Sequence, residues 1–330
     1  MHVLVIGAAG MIGRKLVARI AKEGGIGGRK VSRLTLVDVV APAAPEGIPT
    51  EVWAADLSAP GEAEKMIAGR PELIYHLAAI VSGEAEADFD KGYRINLDGT
   101  RLLFEAIRQA GLRRPPGDQY TPRVIFTSSI AVFGAPFPEA IPDEFHLTPL
   151  TSYGTQKAIG ELLLADYSRR GIFDGIGIRL PTICIRPGAP NKAASGFFSG
   201  ILREPLAGKE AVLPVPDTVM HWHASPRAAV GFLVHAAGLD TAPLGARRNL
   251  TMPGLAATVA EQIEALRRVA GDKAVALIRR EPDETVARIV AGWPRRFDTK
   301  RAESLGFVAE KSFDDIIRVH VEDELGGKVA

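Results

Sequence analysis

Tyr153-Gly154-Thr155-Gln156-Lys157 sets a phenol and an ammonium four residues apart at the predicted start of a helix, stacked on one face a single turn apart. A cation beside a phenol favours the phenolate and brings its pKa toward the range of a general base. The pair alone is a weak signal, because on the order of 0.2 such pairs arise by chance in a chain of this kind. Ser129, in Phe126-Thr127-Ser128-Ser129-Ile130 at the end of an apolar run, supplies a further hydroxyl. Gly7-Ala8-Ala9-Gly10-Met11-Ile12-Gly13 follows the first apolar run directly. Glycines there let backbone N–H groups approach a pyrophosphate at a helix N-terminus. Asp38 closes the second run, where a carboxylate can hold the adenosine ribose hydroxyls and would repel a 2′-phosphate, so NAD is expected and NADP disfavoured. Asp56-Leu57, after the third strand, can reach the adenine amino group. Hydroxyls and a lysine converging beside a dinucleotide are the equipment for taking a proton from an alcohol while its hydride leaves.

These residues need a frame that brings them together. Val3–Ile6, Leu34–Val37, Leu73–His76 and Val124–Thr127 read as buried strands, too short and too continuously apolar for surface helices. Met11–Ala21, Gly61–Ala68, Tyr93–Gln109 and Tyr153–Ser168 carry helical spacing between them. Such alternation predicts an α/β fold, a doubly wound parallel sheet of Rossmann type. In open parallel sheets ligands sit beyond the carboxyl ends of the strands, where the glycine loop and Ser129 both fall. Glu23–Lys30, with four glycines, reads as a flexible turn. After about residue 181 prolines cut the chain into short pieces. A helix over about 226–239, a strand over 249–252 and helical stretches at 257–270, 283–291 and 313–322 are expected. The resulting division is a dinucleotide-binding domain of residues 1–181 with 218–252, and a smaller, mostly helical C-terminal substrate domain of 182–217 with 253–330.

Composition narrows the class. The 330 residues are 46% hydrophobic and 24% charged, with a formal net charge of +1, which excludes a disordered chain. That balance offers no general basic field for nucleic acid or an anionic membrane. Cys184 is the single cysteine, so neither an intrachain disulfide nor a Cys-based zinc site is expected, and no metal is invoked. The N-terminus lacks a basic region and no apolar run is long enough to span a bilayer. A soluble, cytoplasmic protein is expected, with a homodimer as its assembly.

Over essentially its full length the chain resembles the extended short-chain dehydrogenase/reductase superfamily. The resemblance rests on Gly7/Gly10/Gly13, Asp38, Asp56-Leu57, His76-Leu77-Ala78-Ala79, Asn96 with Gly99-Thr100, Thr127-Ser128-Ser129 with Phe133-Gly134, Tyr153/Lys157 and the Arg179 strand. It implies Tyr153 as base, Ser129 orienting the substrate hydroxyl, and Lys157 holding the nicotinamide ribose while tuning Tyr153. The cofactor contacts it implies are Gly7, Gly10, Met11, Ile12, Gly13, Asp38, Asp56, Leu57, Ala78, Asn96, Tyr153, Lys157 and Pro181.

The chain departs from the nucleotide-sugar enzymes of that superfamily. Thr182 stands where they carry an asparagine after the Arg179 strand, and the segment 218–227 lacks their arginine and acidic pair. No acidic residue follows Ser129, as a dehydratase needs. A pyrophosphate is poorly served without those contacts. Arg186, Asn191, Lys192, His223 and Arg227 stand instead, a set suited to one small anion. The segments at 187–191, 203–206, 223–227, 251–255 and 293–298 resemble the D-erythronate dehydrogenase family. That likeness implies oxidation of the C2 hydroxyl of D-erythronate to 2-oxo-tetronate with NAD. Ser82, Ser129, Arg186, Asn191, His223 and Arg227 are the expected substrate contacts, with His223 protonated in that role. The competing readings are a nucleotide-sugar epimerase that retains its NAD and a non-catalytic nucleotide sensor, and the intact Ser129/Tyr153/Lys157 set argues against the sensor.

Overall fold

The structure, a computed structural model, describes residues 1–113, 118–188 and 195–330. Its contacts divide into two compact units, one of residues 1–132, 149–179 and 230–250, the other of 133–148, 180–229 and 251–330.

The first unit is built on a seven-stranded sheet. The strand order is Thr50–Ala54, Arg33–Asp38, His2–Ile6, Leu73–His76, Arg123–Ser129, Asp174–Leu180 and Asn249–Thr251. His2–Ile6 pairs parallel with Arg33–Asp38 on one side and Leu73–His76 on the other, so that Ile6 lies opposite both Val37 and His76. Chain order therefore reverses at His2–Ile6, the switch point where open α/β sheets bind ligands. Residues 3–6 and 73–76 are all buried, as strands covered on both faces must be. Thr50–Ala54, absent from the apolar runs, is an edge strand with largely exposed residues. Leu4, Ile6, Met66, Leu103, Phe104, Phe126, Leu164 and Phe173 make one apolar core on this sheet.

Two local features differ from the sequence expectation. The four-glycine turn is an antiparallel hairpin, Gly25–Ile26 against Arg29–Lys30. Gly27 and Gly28 have φ of 56° and 74°, the left-handed pair a two-residue primed turn requires. The helix expected at 93–109 opens with a π-helical stretch, Tyr93–Asp98, before Gly99–Leu112. Period alone does not reveal such a bulge, and bulges of this kind gather at functional sites.

The second unit holds a three-stranded sheet in which Met220–Ala224 runs antiparallel to Leu255–Thr258 and parallel to Thr182–Ile183. That pairing takes 218–229 into this unit rather than the first. Residues 133–148 join it too, through a bridge between Ile141 and Phe297. The 293–298 stretch thus closes a backbone ladder: Ile141 N donates to Arg296 O at 3.0 Å and Asp298 N to Ile141 O at 3.0 Å. Helices Gly196–Leu206, Val259–Ala270 and Phe313–Glu324 bury Phe198, Leu202, Leu266, Ile316 and Ile317 together. Among the described residues no helix is long and apolar enough to cross a membrane.

The turn after the first strand tolerates no side chain at Gly13. A Cβ there would stand 2.2 Å from Gly7 O and 2.7 Å from Ala8 Cα, both backbone. Relief requires moving the loop itself, so Gly13→Ala is expected to cost about 1–3 kcal/mol. Urea unfolding followed by circular dichroism checks this, and an unchanged midpoint would contradict it.

Candidate active site

The glycine loop forms at the carboxyl end of the central strand and opens the helix Met11–Glu23. Gly7 has φ 91°, and a Cβ there would lie 2.6 Å from Ala78 N. The loop therefore packs backbone against backbone on the residue following Leu73–His76. Asp38 joins the same turn, its Oδ2 accepting from Ala9 N at 2.9 Å. A backbone concavity at a helix N-terminus, floored by glycines and edged by a carboxylate, fits a dinucleotide pyrophosphate and its neighbouring ribose. Met11 and Ile12 begin the helix, half-buried. Leu57 turns its side chain into the core, leaving only backbone to face a ligand.

Asp56 is engaged on both oxygens: Oδ1 accepts from Ser58 N at 2.9 Å and Ser58 Oγ at 2.6 Å, and Oδ2 from Arg94 at 2.6 Å. Burial works against its charge, but the Ser58 and Arg94 bonds outweigh it and its pKa is lowered. Asn96, 1% exposed, is likewise committed. Its Oδ1 accepts from Ile80 N at 2.9 Å, and its Nδ2 donates to Ile80 O at 3.1 Å and to Gln156 Oε1 at 2.8 Å. The expected cofactor contact is thus a brace that holds the loop after Leu73–His76 to the Tyr153 helix.

That helix, Ser152–Arg169, starts where Thr151 Oγ1 accepts from Gly154 N at 3.0 Å. Tyr153 is half-buried and Lys157 buried, with Lys157 Nζ 5.8 Å from the Tyr153 ring centroid. The ammonium donates to Thr127 O at 2.8 Å and lies 4.8 Å from the Phe126 ring centroid. Burial pulls its pKa down to about 7, opposed by the Glu161 carboxylate. Ser129 ends the strand Arg123–Ser129, and its Oγ accepts from Ala131 N at 3.1 Å, which leaves the hydroxyl hydrogen to donate elsewhere. Gly154 permits the approach of helix and strand end: a Cβ there would be 2.2 Å from Ala131 O. The structure thus gathers Ser129, Tyr153 and Lys157 in the first unit.

Sequence reasoning missed Glu161 and named Ser128 only within the Thr127-Ser128-Ser129 motif. Glu161, 1% exposed, accepts from Ser128 Oγ at 2.6 Å and from Arg179 Nη2 at 2.8 Å. The available signal was its spacing, four residues past Lys157 on the same helical face. Ser82 opens the short helix Ser82–Ala87 and is half-buried.

In the second unit the expected anion contacts have different surroundings. His223 is fully buried, its ring edge-on to Phe198 at 4.8 Å and Phe313 at 5.5 Å, its Nε2 3.1 Å from Gln262 Nε2. Burial, with His221 and Arg186 nearby, holds its pKa well below the usual histidine range, so the expected protonated His223 is corrected to a neutral one. Arg227 pairs with Glu322 at 2.9 Å and Asp323 at 2.6 Å, so its guanidinium already faces two carboxylates. Arg186 is half-buried, its Nε donating to Ile183 O at 3.1 Å and its Nη2 to Ser195 Oγ at 2.6 Å. Pro181 is buried between the strands Asp174–Leu180 and Thr182–Ile183 in the chain. Asn191 and Lys192 lie outside the described residues.

Residues 3–222 match the NAD dependent epimerase/dehydratase family. The chain is 47% identical over 327 residues to D-erythronate dehydrogenase of Cupriavidus necator, covering 98% of each. It is 40% identical to D-erythronate dehydrogenase of Haemophilus influenzae, over 98% of this chain and all of that one. It is 69% identical to a solved structure described as the nucleoside-diphosphate-sugar epimerase from Agrobacterium tumefaciens, with a TM-score of 0.97 over 100% of this chain and 96% of that one.

The Gly154 approach generates a test of the Tyr153–Ser129 geometry. Gly154→Ala must push the helix start away from Ala131, displacing Tyr153 relative to Ser129. Misplacement on the ångström scale costs about 10²-fold in rate. The expected result is a loss of about 10–100-fold in kcat with the NADH dissociation constant within about twofold of wild type. Unaltered kcat would show that the approach does not set the Tyr153–Ser129 geometry.

Proposed function

The chain belongs to the NAD dependent epimerase/dehydratase family, and from that premise we propose that it oxidises the C2 hydroxyl of a small sugar acid, D-erythronate to 2-oxo-tetronate, with NAD. It is an NAD-dependent oxidoreductase of the extended short-chain type. The observation that carries the proposal is the set of Ser129, Tyr153 and Lys157 in one unit with the glycine loop. The names of its relatives at 47% and 40% identity supply the substrate class.

In this reading the Tyr153 phenolate takes the proton of the C2 hydroxyl. Ser129, its oxygen already accepting from Ala131 N, gives its hydrogen to the substrate oxygen and orients it. Lys157 lies beside the phenol as a buried cation, favours the phenolate, and directs its remaining donors toward the nicotinamide ribose. NAD, which the glycine loop and Asp38 would hold, would supply the hydride acceptor at C2, so that the alcohol would lose one proton to Tyr153 and one hydride to the cofactor and become the ketone. Asp38 makes NAD the preferred form by repelling a 2′-phosphate. The acid's carboxylate, one bond from the reacting carbon, needs one cation. Of Arg186, His223 and Arg227, Arg186 is the proposed partner, since it follows the strand Asp174–Leu180, whose end should border the nicotinamide.

A second reading, epimerisation of a nucleotide sugar with the cofactor retained, draws on the description of the Agrobacterium structure. The residues at 182 and 218–227 weigh against it, because they lack the groups that grip a nucleotide pyrophosphate.

The deciding measurement is absorbance at the reduced-nicotinamide band, with NAD or NADP, four- to six-carbon aldonic acids and UDP-glucose. Net NADH from D-erythronate is expected, faster with NAD than NADP. Interconversion of a UDP-sugar without net NADH would replace this reading with the second. Tyr153→Phe is expected to lower kcat by about 10²–10⁴-fold with NADH binding preserved. More than half the activity remaining would remove Tyr153 as the base. Light scattering on the same sample reports whether the proposed homodimer forms.

Arg186→Met removes the proposed charged contact, an interaction of about 1.5–3 kcal/mol. A fall in kcat/KM for D-erythronate of about 10–100-fold is therefore expected, with little change for its neutral amide. Equal losses on acid and amide would show that Arg186 does not read the carboxylate.

A further inference from the structure

We propose that Glu161 is a positioning residue for this reaction: its buried carboxylate keeps Lys157 in the ammonium form and, through Ser128, fixes the strand end that carries Ser129. The inference rests on the roles given above to Tyr153 and Lys157.

Tyr153, Lys157 and Glu161 recur every four residues along the helix Ser152–Arg169 and form one stripe. Lys157 is 2% exposed and Glu161 1%, so both charges depend on protein rather than water. The partners of the stripe lie on two adjacent strands. Thr127 O takes the Lys157 ammonium, Ser128 Oγ donates to Glu161, and Arg179 forks onto the same carboxylate, Nε to Oε1 at 2.9 Å and Nη2 to Oε2 at 2.8 Å. Thr127, Ser128 and Ser129 are consecutive, so the lysine and the glutamate clamp the strand end immediately before the reacting hydroxyl.

The charge argument follows from which group can yield. Glu161 stands between two buried cations, Arg179 bonded to it and Lys157 one helical turn before it, and its charge favours the ammonium of Lys157. Without the carboxylate, two buried cations would share the helix face. A guanidinium does not lose its proton in a protein, whereas a buried ammonium does so readily. Lys157 would become neutral and Tyr153 would lose the charge that favours its phenolate. Several other charged groups on elements packed against this helix have partners of their own. Glu86 accepts from Ser152 N, Glu105 takes Arg108 and Tyr167, Lys91 pairs with Glu84, and Arg94 with Asp56. His76, from Leu73–His76, is neutral, its pKa pushed down to about 3 by burial and by Lys157.

Opposite shifts from the two members of the pair are the signature that packing alone would not give. The measurement is the pH profile of kcat/KM for D-erythronate with NAD in wild type, Arg179→Met, Glu161→Gln and the double variant Glu161→Gln/Arg179→Met. The low-pH limb reports formation of the phenolate. Arg179→Met should move it to lower pH, because Lys157 then has the carboxylate to itself. Glu161→Gln should move it to higher pH by about one unit or more, about a tenfold loss at a fixed pH on the limb. If the buried guanidinium prevents Glu161→Gln from folding, the double variant against Arg179→Met isolates the carboxylate, and its limb should again lie higher. Coinciding limbs in that pair, whatever the uniform loss in kcat, would overturn the inference while Tyr153→Phe remains inactive. An active Tyr153→Phe would instead remove the catalytic reading and this inference with it.

Discussion

An ammonium can be buried only where the protein replaces the water it loses, and the first unit is arranged around that requirement at Lys157. A strand carbonyl, Thr127 O, and the faces of Phe126 and Tyr153 surround it. Each of these fixes something else. The bond to Thr127 O sets the register of the helix Ser152–Arg169 on the strand Arg123–Ser129. That register decides which strand residue lies near Tyr153. Gly154 and Gly160 let the helix come close enough: a Cβ at either would stand under 3.0 Å from Ala131 O or the Phe126 ring. The burial of one charge thereby fixes where Tyr153 and Lys157 stand against the strand end that carries Ser129.

The opposite side of the switch point obeys a different constraint, close approach of backbone. Gly7 and Gly13 have no room for a Cβ because the loop, the helix it opens and the residue after Leu73–His76 are packed main chain on main chain. The parallel register that aligns Ile6 with Val37 and His76 brings Gly7, Asp38 and Leu77 to the same level at one edge of the sheet. Asp38 can therefore reach Ala9 N from the neighbouring strand. Asn96, aimed by the π-helical turn, ties the loop at Ile80 to Gln156 on the Tyr153 helix. The two halves of the site are thus linked by neutral hydrogen bonds, which leave the electrostatics of Lys157 to Glu161 and Arg179.

Much of this was legible in the sequence because it rests on period and on glycine. The four apolar runs became sheet strands, and the glycine loop and the Tyr153/Lys157 pair read directly. What stayed hidden depends on contacts between distant segments. Thr50–Ala54 is an edge strand, so it lacks a continuous apolar run. The segment at 218–229 looked like part of the first unit until its pairing with Thr182–Ile183 was seen. His223 is a polar residue whose fate is set by Phe198, Phe313 and Gln262 around it. Arg227 offers a cation in one dimension and a closed ion pair in three, because Glu322 and Asp323 lie 95 and 96 residues away. Glu161 carried a signal, its place on the Tyr153–Lys157 face, but spacing does not reveal that Arg179 and Ser128 meet it there.

A Ser–Tyr–Lys set moves one proton and holds one ribose, work that is the same whether the hydride leaves with the cofactor or returns to the substrate. The triad and its Glu161–Arg179 support therefore cannot distinguish an acid dehydrogenase from a nucleotide-sugar epimerase. The difference must lie in what the remaining residues can hold. A nucleotide pyrophosphate needs paired cations or donors at two phosphates, whereas an aldonic acid presents one carboxylate. In the second unit His221 and His223 are both neutral, His221 with its pKa lowered to about 4 by burial, and Arg227 is matched by carboxylates. Arg186, which donates to Ile183 O and Ser195 Oγ, contributes through its field to keeping both histidines neutral. Neutral rings at His221 and His223 and an Arg227 already paired with two carboxylates offer little to the second charge of a nucleotide pyrophosphate.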